Sequence, residues 1–112
     1  MRKPLASDQE PRIDLHVHST ASDGTFTPSE ILAMAVERGL KAIAITDHDT
    51  LAGSVAALAS GIPATIEFIT GVEISAGPPS GFRTNGSVHI LGYGVDPSHE
   101  TLCALLERLR QA

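Results

Sequence analysis

Arg12-Ile13-Asp14-Leu15-His16-Val17-His18, running on to Ser22-Asp23-Gly24, is the stretch that decides the fold. Read as a β-strand, it alternates. Ile13, Leu15 and Val17 take one face; Asp14, His16 and His18 take the other. Imidazoles two residues apart sit about 6–7 Å from each other along that face, close enough to converge on one metal ion above the strand end. Two histidines and a carboxylate on an otherwise apolar strand each need a partner once buried, and a metal is the partner that fits best. A His-x-His pair alone is also an ordinary strand pattern, so its meaning depends on the rest of the chain.

Downstream, Ser19 to Phe26 is a loop of small and turn-forming residues. Thr27-Pro28-Ser29-Glu30 predicts a helix start, with Thr27 as N-cap, Pro28 at N1 and Glu30 completing a capping box. Ile31, Leu32, Ala35 and Val36 supply its apolar face, and Gly39 stops it. Leu40 to Ile45, broken only by Lys41, reads as a buried parallel strand, with Thr46-Asp47-His48-Asp49-Thr50 at its C-terminal end. Asp49 or Thr50 is placed to cap a second helix over Leu51 to Ser60, closed by Gly61. Thr65 to Thr70 and Gly71 to Ser75 make a third extended stretch. Ala76 to Gly86 holds two prolines, three glycines and Asn85, which is loop chemistry. Ser87 to Val95 is a fourth strand. Asp96-Pro97-Ser98 leads into a last helix over His99 to Gln111, with Leu102, Leu105, Leu106 and Leu109 on one side. Met1 to Pro11 is a polar lead-in.

The order β-α-β-α-β-β-α predicts an α/β fold with a mainly parallel sheet and right-handed crossovers, one domain over 12–112 behind the lead-in 1–11. In such sheets functional groups gather at the C-terminal strand ends. His16 and His18, then His48, then Glu73 fall at or near strand ends. His89 lies inside the fourth strand, facing away from Val88 and Ile90. Core packing gives no reason for four separate segments to send an acid or a histidine to one rim.

The candidate ligands are therefore His16, His18, Asp23, His48, Glu73 and His89. Mixed imidazole and carboxylate donors suit Zn, Mn or Fe rather than an oxygen cage for Ca or Mg. The set exceeds what one four-coordinate ion needs, so two or more ions are expected, with Glu73 the carboxylate placed to bridge a pair. Metal pairs about 3.5–4 Å apart generate hydroxide at neutral pH and clamp a phosphate for in-line displacement. The expected reaction is hydrolysis of a phosphate ester through metal-activated hydroxide. Asp23 is equally a turn residue in Ser-Asp-Gly, and Asp49 equally a helix cap. Arg83 in the Gly-Pro loop reads as a solvated arginine, Cys103 as a half-buried helix residue, and His99 as a solvent-facing residue at a helix start.

Composition narrows the classes. A chain of 112 residues is enough for one domain with a real core. With 42% hydrophobic residues and a mean hydropathy of +0.09 it reads as a folded soluble protein. A net charge of −5 counts against a duplex nucleic-acid surface. Bound metal ions reverse the local sign, so an anionic substrate remains compatible. One cysteine allows no intrachain disulfide. No apolar run approaches ~20 residues, so no membrane partner is expected. The lead-in lacks an apolar signal region, which makes the cytoplasm the expected location. Neither G-x-G-x-x-G nor G-K-[ST] occurs.

Asp14-Leu15-His16-Val17-His18-Ser19 with Ser22-Asp23-Gly24 resembles the first motif of the PHP (polymerase and histidinol phosphatase) family. Ile45-Thr46-Asp47-His48-Asp49-Thr50 resembles its second. Gly71-Val72-Glu73-Ile74-Ser75 and Val88-His89-Ile90-Leu91-Gly92 resemble the next two, in family order, from about Arg12 to Asp96. The Thr-Asp-His-Asp-Thr and Gly-Val-Glu-Ile-Ser wording is most similar to the stand-alone phosphoesterases. Those remove the 3′-phosphate from nucleoside 3′,5′-bisphosphates and trim short 5′-phosphorylated oligonucleotides.

The resemblance implies the N-terminal half of a distorted seven-stranded β/α (TIM-like) barrel. It implies one metal on His16, His18 and Glu73, a second bridged by Glu73 and held by His89, and a third on Asp23 and His48. Asp14, Asp47 and Asp49 would then orient ligands or face the substrate. Two or three divalent ions (Mn, Zn or Fe) and a phosphorylated small-molecule or nucleotide substrate follow from it. Family chains are more than twice this long, and their C-terminal half supplies another His and an Asp-x-His pair. After His89 this chain has only His99. The expectation is an N-terminal part whose metals each lack a ligand, with a homodimer or a complementing C-terminal half as partner. The rival expectation is a non-catalytic remnant serving as a scaffold or assembly module, with the leucine face of the last helix as its partner surface.

Overall fold

The structure, a computed structural model, describes residues 12–76 and 88–111. The polar lead-in, the greater part of the Gly-Pro loop and Arg83 lie outside the described residues. The elements are β1 (Arg12–Val17), α1 (Pro28–Glu37), β2 (Leu40–Ile45), α2 (Ala52–Ser60), β3 (Glu67–Ala76), β4 (Val88–Tyr93) and α3 (Glu100–Gln111).

The strands form one sheet in the order β1-β2-β3-β4. β1 with β2, and β2 with β3, pair in parallel, each joined through a helix as a crossover requires. β3 and β4 pair antiparallel. The predicted mainly parallel sheet is therefore found, with β4 its exception. The sheet curls: the Tyr93 hydroxyl on edge strand β4 donates to the Leu15 carbonyl on edge strand β1 at 2.7 Å.

α1 starts as its sequence dictates. The Thr27 hydroxyl accepts from the Glu30 amide at 3.2 Å, and the Glu30 carboxylate accepts from the Thr27 amide at 2.9 Å. Ile31, Leu32 and Ala35 then pack with Ile43 and Ile45 of β2, Ala57 of α2 and Ile66. Val36, predicted on the same face, is exposed and lies outside the cluster that Ile31, Leu32 and Ala35 enter. Ile13 differs too. Its alternation points it inward, but β1 is an edge strand and Ile13 remains 60% exposed.

The second helix begins one residue later than predicted, at Ala52, with buried Leu51 as N-cap. Thr50 helps, its hydroxyl accepting from the Ala52 amide at 3.1 Å. Asp49 is drawn elsewhere, as described below. α3 begins at Glu100, and His99 caps it through Nδ1, which accepts from the Leu102 amide at 3.2 Å. Leu106 is buried against Leu51 and Val72, whereas Leu105 and Leu109 stay exposed. Among the described residues, no helix is long and apolar enough to cross a membrane.

Candidate metal centre

The centre exists because β3 overruns β2. Ile45, the last residue of β2, pairs with Thr70, and β3 continues to Ala76. Past the end of β2, His48 makes an isolated parallel bridge with Glu73. The Glu73 amide donates to the Asp47 carbonyl at 2.9 Å, and the Asp49 amide donates to the Glu73 carbonyl at 3.0 Å. Glu73 was predicted near a strand end. It sits in the interior of β3 and reaches the rim only because of this overhang. The antiparallel register puts His89 opposite Ser75, so the start of β4 meets the same rim. His16 lies in β1 and His18 just beyond it.

Glu73 is the hub. Its side chain is 6% exposed, and its Oε1 lies 2.8 Å from His16 Nε2 and 2.7 Å from His18 Nε2. Its Oε2 lies 2.5 Å from His89 Nδ1. Asp23 makes a second, more open junction, with Oδ1 3.0 Å from His18 Nδ1 and Oδ2 3.3 Å from His48 Nε2. The His18 and His48 rings are 4.3 Å apart, and His16 and His18 are 5.2 Å apart, closer than strand geometry alone predicts.

Donor atoms within 4.8 Å of one another fall into three overlapping groups: His16–His18–Glu73, His18–Asp23–His48 and His48–Glu73–His89. All the predicted ligands are brought together. The groupings differ from the implied assignment in one respect: His18 and His48 are each shared, as Glu73 is. Imidazole and carboxylate donors, three to a group, fit a borderline divalent ion such as Zn, Mn or Fe and leave coordination positions for water and substrate. Cys103 stands apart, its thiol donating to the Pro97 carbonyl at 3.3 Å.

Burial pushes the Glu73 carboxyl up. The hydrogen bonds from His16, His89 and His18, with the charge of His48, outweigh it and bring the pKa from 4.5 to about 2. A carboxyl depressed in the folded state binds fewer protons there than when unfolded, so it adds stability at pH above about 4.5. That contribution fades as the pH falls toward about 2. Chelator-treated wild type should therefore lose thermal stability across that window more steeply than Glu73→Gln. Equal slopes in the two proteins would show that folding does not hold Glu73 in its charged form.

The three other predicted carboxylates support the rim without joining it. Asp14, Asp47 and Asp49 were expected to orient ligating imidazoles or to face the substrate. Asp14 accepts from the backbone amide of His16 at 3.2 Å. Asp47 is fully buried, and accepts from the Ser19 amide at 2.6 Å and from the Ser19 and Ser22 hydroxyls at 2.7 Å each. The reason is facial alternation: His48 turns to the rim, so its neighbour Asp47 turns to the α2 side. Asp49 adopts a left-handed backbone, φ 55°, and its carboxylate accepts from the Ser75 amide at 2.7 Å rather than capping α2. Arg110 of α3 donates to the Asp49 carbonyl at 2.6 Å.

Sequence reasoning missed Ser19, Ser22 and Gly53. A Cβ at Gly53 would lie 2.0 Å from Asp47 Oδ2 and 2.8 Å from Ser19 Oγ. A glycine inside a helix, at a propensity cost of about 1 kcal/mol against alanine, was the available signal of that close approach.

Residues 14–108 match the PHP domain. A phosphoribosyl 1,2-cyclic phosphate 1,2-diphosphodiesterase of Eggerthella lenta is 44% identical over 92 residues, covering 82% of this chain and 34% of that protein. A 3′,5′-nucleoside bisphosphate phosphatase of Chromobacterium violaceum is 41% identical over 99 residues, covering 88% of this chain and 33% of that protein. A solved structure from Bifidobacterium adolescentis, described as a candidate metal-dependent phosphoesterase, superposes with a TM-score of 0.76 at 34% identity. It covers 91% of this chain and 34% of that one. The chain thus spans about a third of the length of these relatives.

Proposed function

This chain belongs to the PHP domain family, and on that premise we propose that its histidine–carboxylate rim is part of a metal-dependent phosphoesterase centre. The substrate class is a phosphate ester of a nucleotide, a short oligonucleotide or a related pentose phosphate. The observation that carries the reading is the convergence of three donor groups on one rim, two of them sharing the nearly water-excluded Glu73. The names of the two relatives support the substrate class, since both denote hydrolysis of a phosphate ester on a nucleoside or a ribose.

His16, His18 and Glu73 would hold one ion, Glu73 and His89 a second, and Asp23 and His48 a third, because a neutral imidazole has one lone pair to give and only the Glu73 carboxylate can serve two ions. Bound there, divalent ions activate water at neutral pH and offset the charge that builds on phosphate oxygens during in-line displacement. The chain's own part is placement. Glu73 fixes three imidazoles from two strands and the segment after β1. Asp23, 64% exposed, and His16, 52% exposed, lie on the open side of the rim, where a phosphate arrives from solvent. The acidic chain accepts an anion because bound cations reverse the local field. We read the four-stranded sheet as the first part of a seven-stranded barrel.

Given Mn²⁺ and a nucleoside 3′,5′-bisphosphate, the protein joined to a C-terminal half that completes the barrel is expected to release inorganic phosphate. Chelator, or His16→Ala, should reduce release to background. Release that survives both, or its absence from the metal-loaded protein, would count against the proposal.

A further inference from the structure

Resting on that reading, we propose that Asp47 is a positioning residue of the metal centre. Its buried carboxylate fixes the loop from Ser19 to Gly24, and through it the place where Asp23 meets His18 and His48.

The loop is short and folded on itself. The Ser22 and Gly24 amides both donate to the Ser19 carbonyl, at 3.1 and 2.8 Å, and the Ala21 amide donates to the Ser19 hydroxyl at 3.1 Å. Three further donors of the loop converge on the single carboxylate of Asp47: the Ser19 amide, the Ser19 hydroxyl and the Ser22 hydroxyl. A carboxylate with no exposed surface requires such partners, so carboxylate and loop hold each other in place. Gly53 of α2 leaves room for this contact, because a Cβ there would overlap Asp47 Oδ2 and crowd the Ser19 hydroxyl.

The outer end of the loop carries Asp23. Its side chain is largely in solvent, and burial does nothing to hold it over the two imidazoles. Beyond its contacts with the two imidazoles and the Ser22 hydroxyl, what holds it is the anchored base of the loop. Asp47 and His48 are consecutive and face opposite ways, so one residue grips the loop from below through Ser19 and Ser22. The next receives Asp23 from above, 3.3 Å from its Nε2. Asp49 braces the other half of the rim through Ser75, which separates the two effects.

Asp47→Asn keeps the size of the side chain but replaces one acceptor oxygen with a donor facing donors. In the full chain, two measurements are made on this variant and on the milder Ser22→Ala. One is amide exchange of Ser19 and Gly24 without metal. The other is calorimetric titration with Zn²⁺. Asp47→Asn should exchange its loop amides faster and bind zinc about 10–100-fold more weakly at the group containing Asp23, the range for losing a partner that orients a ligand. Zinc at His16–His18–Glu73 should be retained, and Ser22→Ala should move the same way by less. Unchanged zinc binding in folded Asp47→Asn overturns the proposal. If Asp47→Asn fails to fold, unchanged zinc binding in folded Ser22→Ala overturns it instead. Wild-type protein that takes up no zinc defeats the metal reading rather than the clamp, which then stands or falls on the Ser19 exchange rate.

Discussion

Glu73→Gln is expected to disable two of the three donor groups at one stroke. Among the described residues, the carboxylate is the only group to place one oxygen against His16 and His18 and the other against His89. An amide of the same shape leaves the β3 backbone bonds to Asp47 and Asp49 intact, so the rim should keep its fold. It removes the negative charge and presents one nitrogen that does not ligate. Zinc titration should retain only the His18–Asp23–His48 group. The affinity lost elsewhere should exceed the 10–100-fold typical of losing an outer partner, since here a donor itself is gone. Without metal, the variant also loses hydrogen bonds to a charged acceptor, each worth about 1.5–3 kcal/mol. An unchanged zinc stoichiometry would show that Glu73 does not bridge.

Gly24→Ala should do the reverse, sparing the Glu73 groups and disabling Asp23. A Cβ at this position would stand 2.0 Å from the His18 carbonyl oxygen, 2.5 Å from its carbon and 2.8 Å from the Ser19 nitrogen. All three are backbone atoms, so no rotamer change relieves the clash. The loop has to open, which draws Asp23 away from His18 and His48. The expected cost is about 1–3 kcal/mol by denaturant unfolding, as for other overpacked sites. Zinc should be lost selectively from the group that contains Asp23. A denaturation midpoint and a zinc titration both equal to wild type would contradict the tight approach of Gly24 to His18.

Particular residues show what the sequence could and could not tell. The ligand segments were legible because each carries an acid or histidine beside an apolar run, and α1 was legible because Thr27 and Glu30 are a local device. The overhang of β3 was not. Whether Glu73 ends a strand or lies within one depends on register against β2, which the strand's own residues leave open. The roles of Asp47 and Asp49 were hidden for a related reason. Two carboxylates flanking His48 look equivalent in sequence, yet one turns under the loop and the other turns to Ser75. Val36 and Ile13 fit the apolar periodicity of their elements, but periodicity says nothing about whether a neighbour arrives to cover them.

The most direct test of a metal centre built by these segments is the metal content of protein purified without chelator, measured by elemental analysis. One or more Mn, Fe or Zn per chain, lost in His16→Ala and in Glu73→Ala, is the expected result. Protein that stays metal-free after incubation with all three ions and removal of the excess would contradict it.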